Sequence, residues 1–311
     1  MALILIAYEL RELLPDDPAP GHIVEWIAAA DPTPGGEYDA MVPLLSRRIG
    51  EVELQGLPRL RIVANCAVGY DNIDLDAASR REIIVTNTPE VLTESTADLT
   101  WALILSVARR LKEAESMVTS GAWPGWHPTQ LLGLELCGAT LGIVGAGRIG
   151  QAVGRRAMGF GMRVVYSDRE RYPDFEADSG AVPVELDDLL ARSDIVTVHV
   201  PSTSETRGSF DASFFSRMKL GAFFINTARG DLVDEKALLE ALAEGALAGA
   251  GLDVFPDEPS VNASLVADPR VVTLPHIGSA TTHTRRAMAE LAVGNAMAVL
   301  RGDPPITPVT R

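Results

Sequence analysis

Hydrophobic positions along the chain follow two alternating rhythms. Short, nearly continuous apolar runs at 2–7, 40–44, 61–64 and 83–86 end in polar or Gly/Pro-containing stretches and read as strands of a small doubly wound sheet. From residue 93 the period changes. Leu99, Leu103, Val107 and Leu111 recur at helical spacing, and Ser95, Thr96 and Asp98 near the start can cap, so one long helix is expected. The Gly- and Pro-rich stretch 121–128 stops helix and strand alike and marks a boundary or contact arm. Further runs at 140–144, 163–166, 195–200, 222–226, 249–254 and 271–273 form a second, larger set of strands, most of them separated by helical patterns. Strand and helix in alternation predict an α/β chain with two doubly wound parallel sheets. The last helical pattern, 284–300, comes after the second sheet is complete. The chain is therefore expected to return to its first domain, giving one discontinuous domain (1–97 with 284–311) and one inserted domain (98–283). Residues 304–308 read as an ordinary surface terminus.

Composition narrows the function classes. A chain of 311 residues with 47% hydrophobic residues can bury two cores, and no apolar run reaches the ~18 residues a membrane span needs. No basic leader with an apolar stretch opens the chain, so a cytoplasmic protein is expected. Cys66 and Cys137 each stand alone in apolar surroundings and read as core residues, against a disulfide framework or a Cys-rich metal site. A net charge of −15 repels polyanions, and no Lys/Arg cluster tracks a phosphate backbone, so neither nucleic acid nor a membrane is an expected partner.

The first chemical signal is Gly145-Ala146-Gly147-Arg148-Ile149-Gly150, set between the run 140–144 and a helix-compatible segment. In that context Gly145 permits a tight turn, Gly147 lets backbone approach a pyrophosphate, and Gly150 lets helix and strand pack closely. The next strand runs toward Asp168, eighteen residues past Gly150, where a carboxylate can accept hydrogen bonds from ribose hydroxyls. This favours NAD. NADP is the second form considered, because Arg169 can partly offset the charge of Asp168.

Three polar segments interrupt otherwise core-like sequence: Asn226-Thr227-Ala228-Arg229-Gly230, Asp253 to Pro259, and Pro275 to Ala280. Each follows a predicted strand. In an open parallel sheet that edge carries the ligand crevice, so Arg229, Glu258 and His276 can converge there. An Arg can fork a carboxylate and polarise a carbonyl, a His can exchange a proton, and a Glu can orient the imidazole.

With Ala67-Val68-Gly69-Tyr70-Asp71-Asn72-Ile73-Asp74, these motifs strongly resemble the D-isomer specific 2-hydroxyacid dehydrogenases, from about residue 63 to 302. Trp126-His127-Pro128 and Gly69 to Asn72 look most like the glyoxylate and hydroxypyruvate reductase branch. The resemblance implies a Rossmann NAD(P) domain inserted into a flavodoxin-like substrate domain, and a homodimer. It implies Arg229, Glu258 and His276 as the catalytic set, with the acid's carboxylate against Arg229 and the backbone amides around Val68 and Gly69. His276 then supplies the proton for reduction. Thr227, Ala228, Asp253 and Gly278 are implied beside the nicotinamide, and Trp126 in a neighbouring subunit's active site or in local packing. The resemblance leaves the acid open: lactate-like, phenyllactate-like and 2-ketogluconate substrates stand beside glyoxylate and hydroxypyruvate. A redox-sensing corepressor-like module on the same fold is the reading from another class. A formate dehydrogenase would carry Gln at Glu258, and many phosphoglycerate dehydrogenases add a regulatory domain.

Overall fold

The computed structural model describes residues 1–309 and divides into two compact units, Met1–Leu92 with Ser279–Arg311, and Thr93–Gly278. The cuts fall at 92/93 and 278/279, not at the expected 97/98 and 283/284. The first shift follows from the helix Thr93–Ala108, which packs on the sheet of the second unit.

In the first unit, β1 (Leu3–Ala7), β2 (Ile23–Ile27), β3 (Ala40–Val42), β4 (Ile62–Ala64) and β5 (Ile84–Thr86) form a parallel sheet in the order β2-β1-β3-β4-β5, the flavodoxin-like arrangement. The inner strands are apolar throughout because both faces are covered. Strand β2 escapes the sequence pattern: it is an edge strand whose only buried residue is Ile27. The helix Thr282–Arg301 returns to this unit and lays Met288, Ala292, Ala296 and Val299 on β3 and β4.

One expectation fails here and one gains detail. The stretch 304–308 lies at the surface as expected but is tied down: Ile306 and Thr307 each donate a backbone N–H to Asn295 Oδ1 at 2.9 Å, and Pro308 pairs antiparallel with Thr86 of β5. Asn295 is fully buried in an apolar helix face, so its amide must be satisfied, and the tail satisfies it. Cys66 is buried as expected, but Cys137 is exposed in the turn before β6.

In the second unit, β6 (Thr140–Val144), β7 (Arg163–Ser167), β8 (Val182–Pro183), β9 (Ile195–Val198), β10 (Ala222–Asn226), β11 (Leu247–Leu252) and β12 (Val271–Thr273) form a parallel sheet in the order β12-β11-β10-β9-β6-β7-β8. The strand order reverses between β6 and β9, the switch point at which a doubly wound sheet opens a crevice. The expected single long helix is two, Thr93–Ala108 and Leu111–Thr119, broken at Arg110, whose φ is +54°. Ser95 and Thr96 are buried inside the first of these helices instead of capping it, and Asp98 pairs with Arg156 at 2.8 Å. Among the described residues no helix is long and apolar enough to cross a membrane.

Candidate active site

The glycine loop, Asp168 and all three polar segments follow the C-terminal ends of β6, β7, β10, β11 and β12, so a single edge of the parallel sheet carries them. Gly145 has φ +90°, and a Cβ there would lie 2.7 Å from Val200 Cγ1 and 2.9 Å from the His199 carbonyl carbon. At Gly150 a Cβ would lie 2.3 Å from Gly145 O, so helix and turn can meet only through a glycine. Gly147 differs: a Cβ there would meet nothing within 4 Å, leaving open room at the start of the helix Arg148–Ala157. That combination of tight backbone below and open space at the helix N-terminus fits a pyrophosphate.

Asp168 Oδ2 accepts a hydrogen bond from Ala146 N at 2.7 Å, which ties the carboxylate to the glycine loop, and Arg169 stands exposed beside it. His199 directly follows β9 with Nε2 3.0 Å from Thr197 Oγ1, and burial drives its imidazole down to about 3, so the ring is neutral there.

The side chains of the candidate set are held by their own loops. Asn226 closes β10 by accepting Ala228 N at 2.9 Å and donating to Arg229 O at 2.8 Å, a side-chain turn that brackets the two residues before Gly230. Arg229 is half-buried, and its Nη1 donates to Ala228 O at 2.7 Å. Thr227 is buried with its hydroxyl 2.9 Å from that of Thr100. Glu258 Oε1 accepts Phe255 N at 2.9 Å, and Oε2 lies 2.8 Å from His276 Nδ1. Burial opposes the ionised Glu258, but the His276 ring, the Phe255 amide and the Arg229 charge outweigh it and hold this carboxyl below its usual value. Glu258 therefore remains an anion facing Nδ1, and Nε2 is the ring nitrogen left for a reacting oxygen.

His276 sits in a left-handed backbone, φ +54°, and Asp253 holds that conformation from both ends. Asp253 O accepts His276 N at 2.9 Å, while Oδ1 and Oδ2 accept Ile277 N and Gly278 N at 2.8 Å each. Burial raises the Asp253 carboxyl, against the pull of those two amides and of His276. Gly278 lies so close that a Cβ would sit 3.3 Å from Asp253 Oδ2. Two contributors received no role in the sequence reading. Thr100 lies inside a helix with no motif around it, whereas Asn226 carried a readable signal as a side-chain cap at a strand end before a glycine.

Val68, Gly69 and Trp126 do not belong to this edge. Val68 and Gly69 form a turn after β4 in the first unit, and Trp126 stands in the arm 120–134, 83% exposed.

A profile of the D-isomer specific 2-hydroxyacid dehydrogenase NAD binding domain matches residues 101–278. The chain belongs to the D-isomer specific 2-hydroxyacid dehydrogenase family. It is 51% identical over 279 residues to a glyoxylate reductase of Thermococcus kodakarensis, covering 88% of this chain and 84% of that protein. A solved NADPH-dependent glyoxylate/hydroxypyruvate reductase of Sinorhizobium meliloti, in complex with NADP and malonate, superposes with a TM-score of 0.87 at 34% identity, covering 99% of this chain and 97% of that one. A D-lactate dehydrogenase of Aquifex aeolicus complexed with NAD and lactic acid superposes at 0.85 with 30% identity, covering 96% of each chain. This family member is an NAD(P)-dependent oxidoreductase.

Proposed function

We propose that the protein reduces a small 2-oxo acid, glyoxylate or hydroxypyruvate foremost, to the D-2-hydroxy acid, with NADH preferred over NADPH. The observation that carries this reading is the Glu258–His276 pair at 2.8 Å on the sheet edge that also bears Arg229 and the glycine loop. A reduced nicotinamide, when bound, supplies the hydride to the carbonyl carbon. Arg229 forks the substrate carboxylate and polarises the ketone; His276 Nε2 gives its proton to the oxygen as the carbon–oxygen double bond opens. Glu258 keeps the ring oriented, and in oxidation the same pair takes the proton back. Thr227, Ala228, Asp253 and Gly278 line the nicotinamide end, and the Val68–Gly69 turn binds the carboxylate through backbone amides. The cofactor preference rests on Asp168: a ribose phosphate would meet this carboxylate, already aligned on Ala146 N, with Glu170 exposed nearby.

We also propose that the protein works as a homodimer. Trp123, Trp126 and Leu132 on the arm and Leu111 and Val118 on the adjoining helix are all exposed, an apolar surface of the kind a second copy covers.

The test is a panel of glyoxylate, hydroxypyruvate, pyruvate, phenylpyruvate and 2-ketogluconate with NADH and NADPH, run on the wild type and on His276→Asn. The expected result is fastest turnover of glyoxylate and hydroxypyruvate, with NADH. The variant should lose ~10²- to 10⁴-fold in turnover, the usual share of a general acid, while binding NADH as before. Near-normal turnover by the variant, or no turnover of any acid by the wild type, defeats the reading.

A further inference from the structure

The turn after β4 is tied down in a particular way. Its three successive carbonyls all point into the body of the first unit: Ala67 O accepts Thr88 N at 2.8 Å, Val68 O accepts Asn87 Nδ2 at 2.8 Å, and Gly69 O accepts Asn65 Nδ2 at 2.8 Å. The peptide bonds here are trans, so each N–H points opposite to the carbonyl of the same peptide plane. The N–H groups of Val68, Gly69 and Tyr70 are thereby turned outward together, and among the described residues none of them meets an acceptor. Successive N–H groups turned to one side form an anion-binding concavity.

The two asparagines are themselves braced. Asn65 is fully buried and exchanges side-chain hydrogen bonds with Asn72, at 3.2 and 3.3 Å, while Asn72 Nδ2 also donates to Arg47 O at 2.9 Å. Asn87 is gripped by the C-terminal tail: Thr307 Oγ1 donates to Asn87 O at 2.6 Å and accepts from Asn295 Nδ2 at 2.8 Å, while Asn87 N donates to Thr307 O at 3.3 Å.

We propose that Asn65 and Asn87, braced by Asn72 and by Thr307 of the tail, are positioning residues that aim the Val68, Gly69 and Tyr70 amides at the substrate carboxylate. The inference rests on the 2-oxo acid reading above. It also gives the tail a task in substrate affinity. Removing the Asn87 amide frees the Val68 carbonyl and lets that peptide plane rotate, so an N–H turns away from the anion.

The experiment is Asn87→Ala and Thr307→Val, read by steady-state kinetics with glyoxylate, NADH fluorescence titration, oxamate binding to the NADH complex, and thermal melting. For Asn87→Ala, KM and the oxamate Kd should rise together by about tenfold, the worth of roughly one hydrogen bond to a charged group. In the same variant kcat should stay within about twofold, as for an interaction made equally in ground and transition states, with NADH affinity and Tm near wild type. Thr307→Val, which perturbs the brace without touching the turn, should move KM the same way by about threefold. Unchanged KM and oxamate affinity in both variants overturns the proposal, and so does a fall in kcat and NADH affinity that tracks a lowered Tm. If the wild type reduces no 2-oxo acid, only the functional reading falls. The oxamate titration then still tests the clamp, and equal affinity in wild type and variants sinks it.

Discussion

A left-handed φ costs a residue with a β-carbon roughly 1–2 kcal/mol, and His276 adopts one within the proposed catalytic set. The surrounding bonds over-determine it: three acceptors of Asp253 take the consecutive amides of His276, Ile277 and Gly278. The ring is thus presented by its backbone before any substrate arrives. Its partner Glu258 is held ionised below the ordinary carboxyl range, so through the neutral and mildly acidic range a negative charge faces Nδ1. Glu258→Gln keeps the shape and removes the charge, so kcat/KM for reduction at neutral pH should fall by roughly tenfold if about 1.4 kcal/mol of charge stabilisation is lost. An unchanged kcat/KM would show that Glu258 only packs. The residue types of this set and the pairing of Glu258 with His276 were legible in the sequence because each stands in a short polar motif after a strand. The three Asp253 acceptors that fix the His276 backbone were not, since they come from a separate strand end.

At the scale of elements, the strand-end loops are brought together by contacts that no local pattern announces. Gly230 follows Arg229, and a Cβ there would lie 1.9 Å from the Phe255 carbonyl carbon, so the loop after β10 rests directly on the loop that carries Glu258. Backbone meets backbone there, and neither can yield as a flexible side chain would. Gly230→Ala should therefore cost at least the ~1–3 kcal/mol of an overpacked core and should lower kcat/KM by separating Arg229 from Glu258. Urea unfolding and kinetics on the same preparation check this, and a variant with wild-type stability and activity refutes it. The broken helix has a similar origin. Apolar spacing continues through Leu111, and Arg109-Arg110 carries no Gly or Pro to stop it. What ends the first helix is the returning chain: Leu134 N donates to Ala108 O at 2.8 Å, and Gly133 packs so tightly that a Cβ would lie 2.2 Å from that same oxygen. Arg110 then turns left-handed and the second helix begins with an Arg110–Glu113 ion pair at 2.7 Å.

For the whole molecule, the exposed arm and its two tryptophans give the proposed homodimer a measurable form. Trp126→Ala should weaken self-association, seen as a fall in mass by light scattering on dilution, and should raise KM for the 2-oxo acid if the indole reaches the partner's site. Unchanged mass and unchanged KM together would assign Trp126 to neither role. The sequence by itself determined the α/β class, two parallel sheets and the nicotinamide-dependent family, and it singled out the glycine loop, Arg229, Glu258 and His276 as candidates. Each of these is written in local periodicity or in a short motif. Tertiary structure alone decided where the units divide, that residues 304–308 lock onto β5 and Asn295, and that the helix breaks at Arg110. It also decided that three carbonyls after β4 face inward. Those outcomes depend on hydrogen-bonding groups that must be satisfied and on backbones that approach closely. The partners, such as Asn295 with Thr307 or Gly133 with Ala108, are brought together only by the packing of the finished fold.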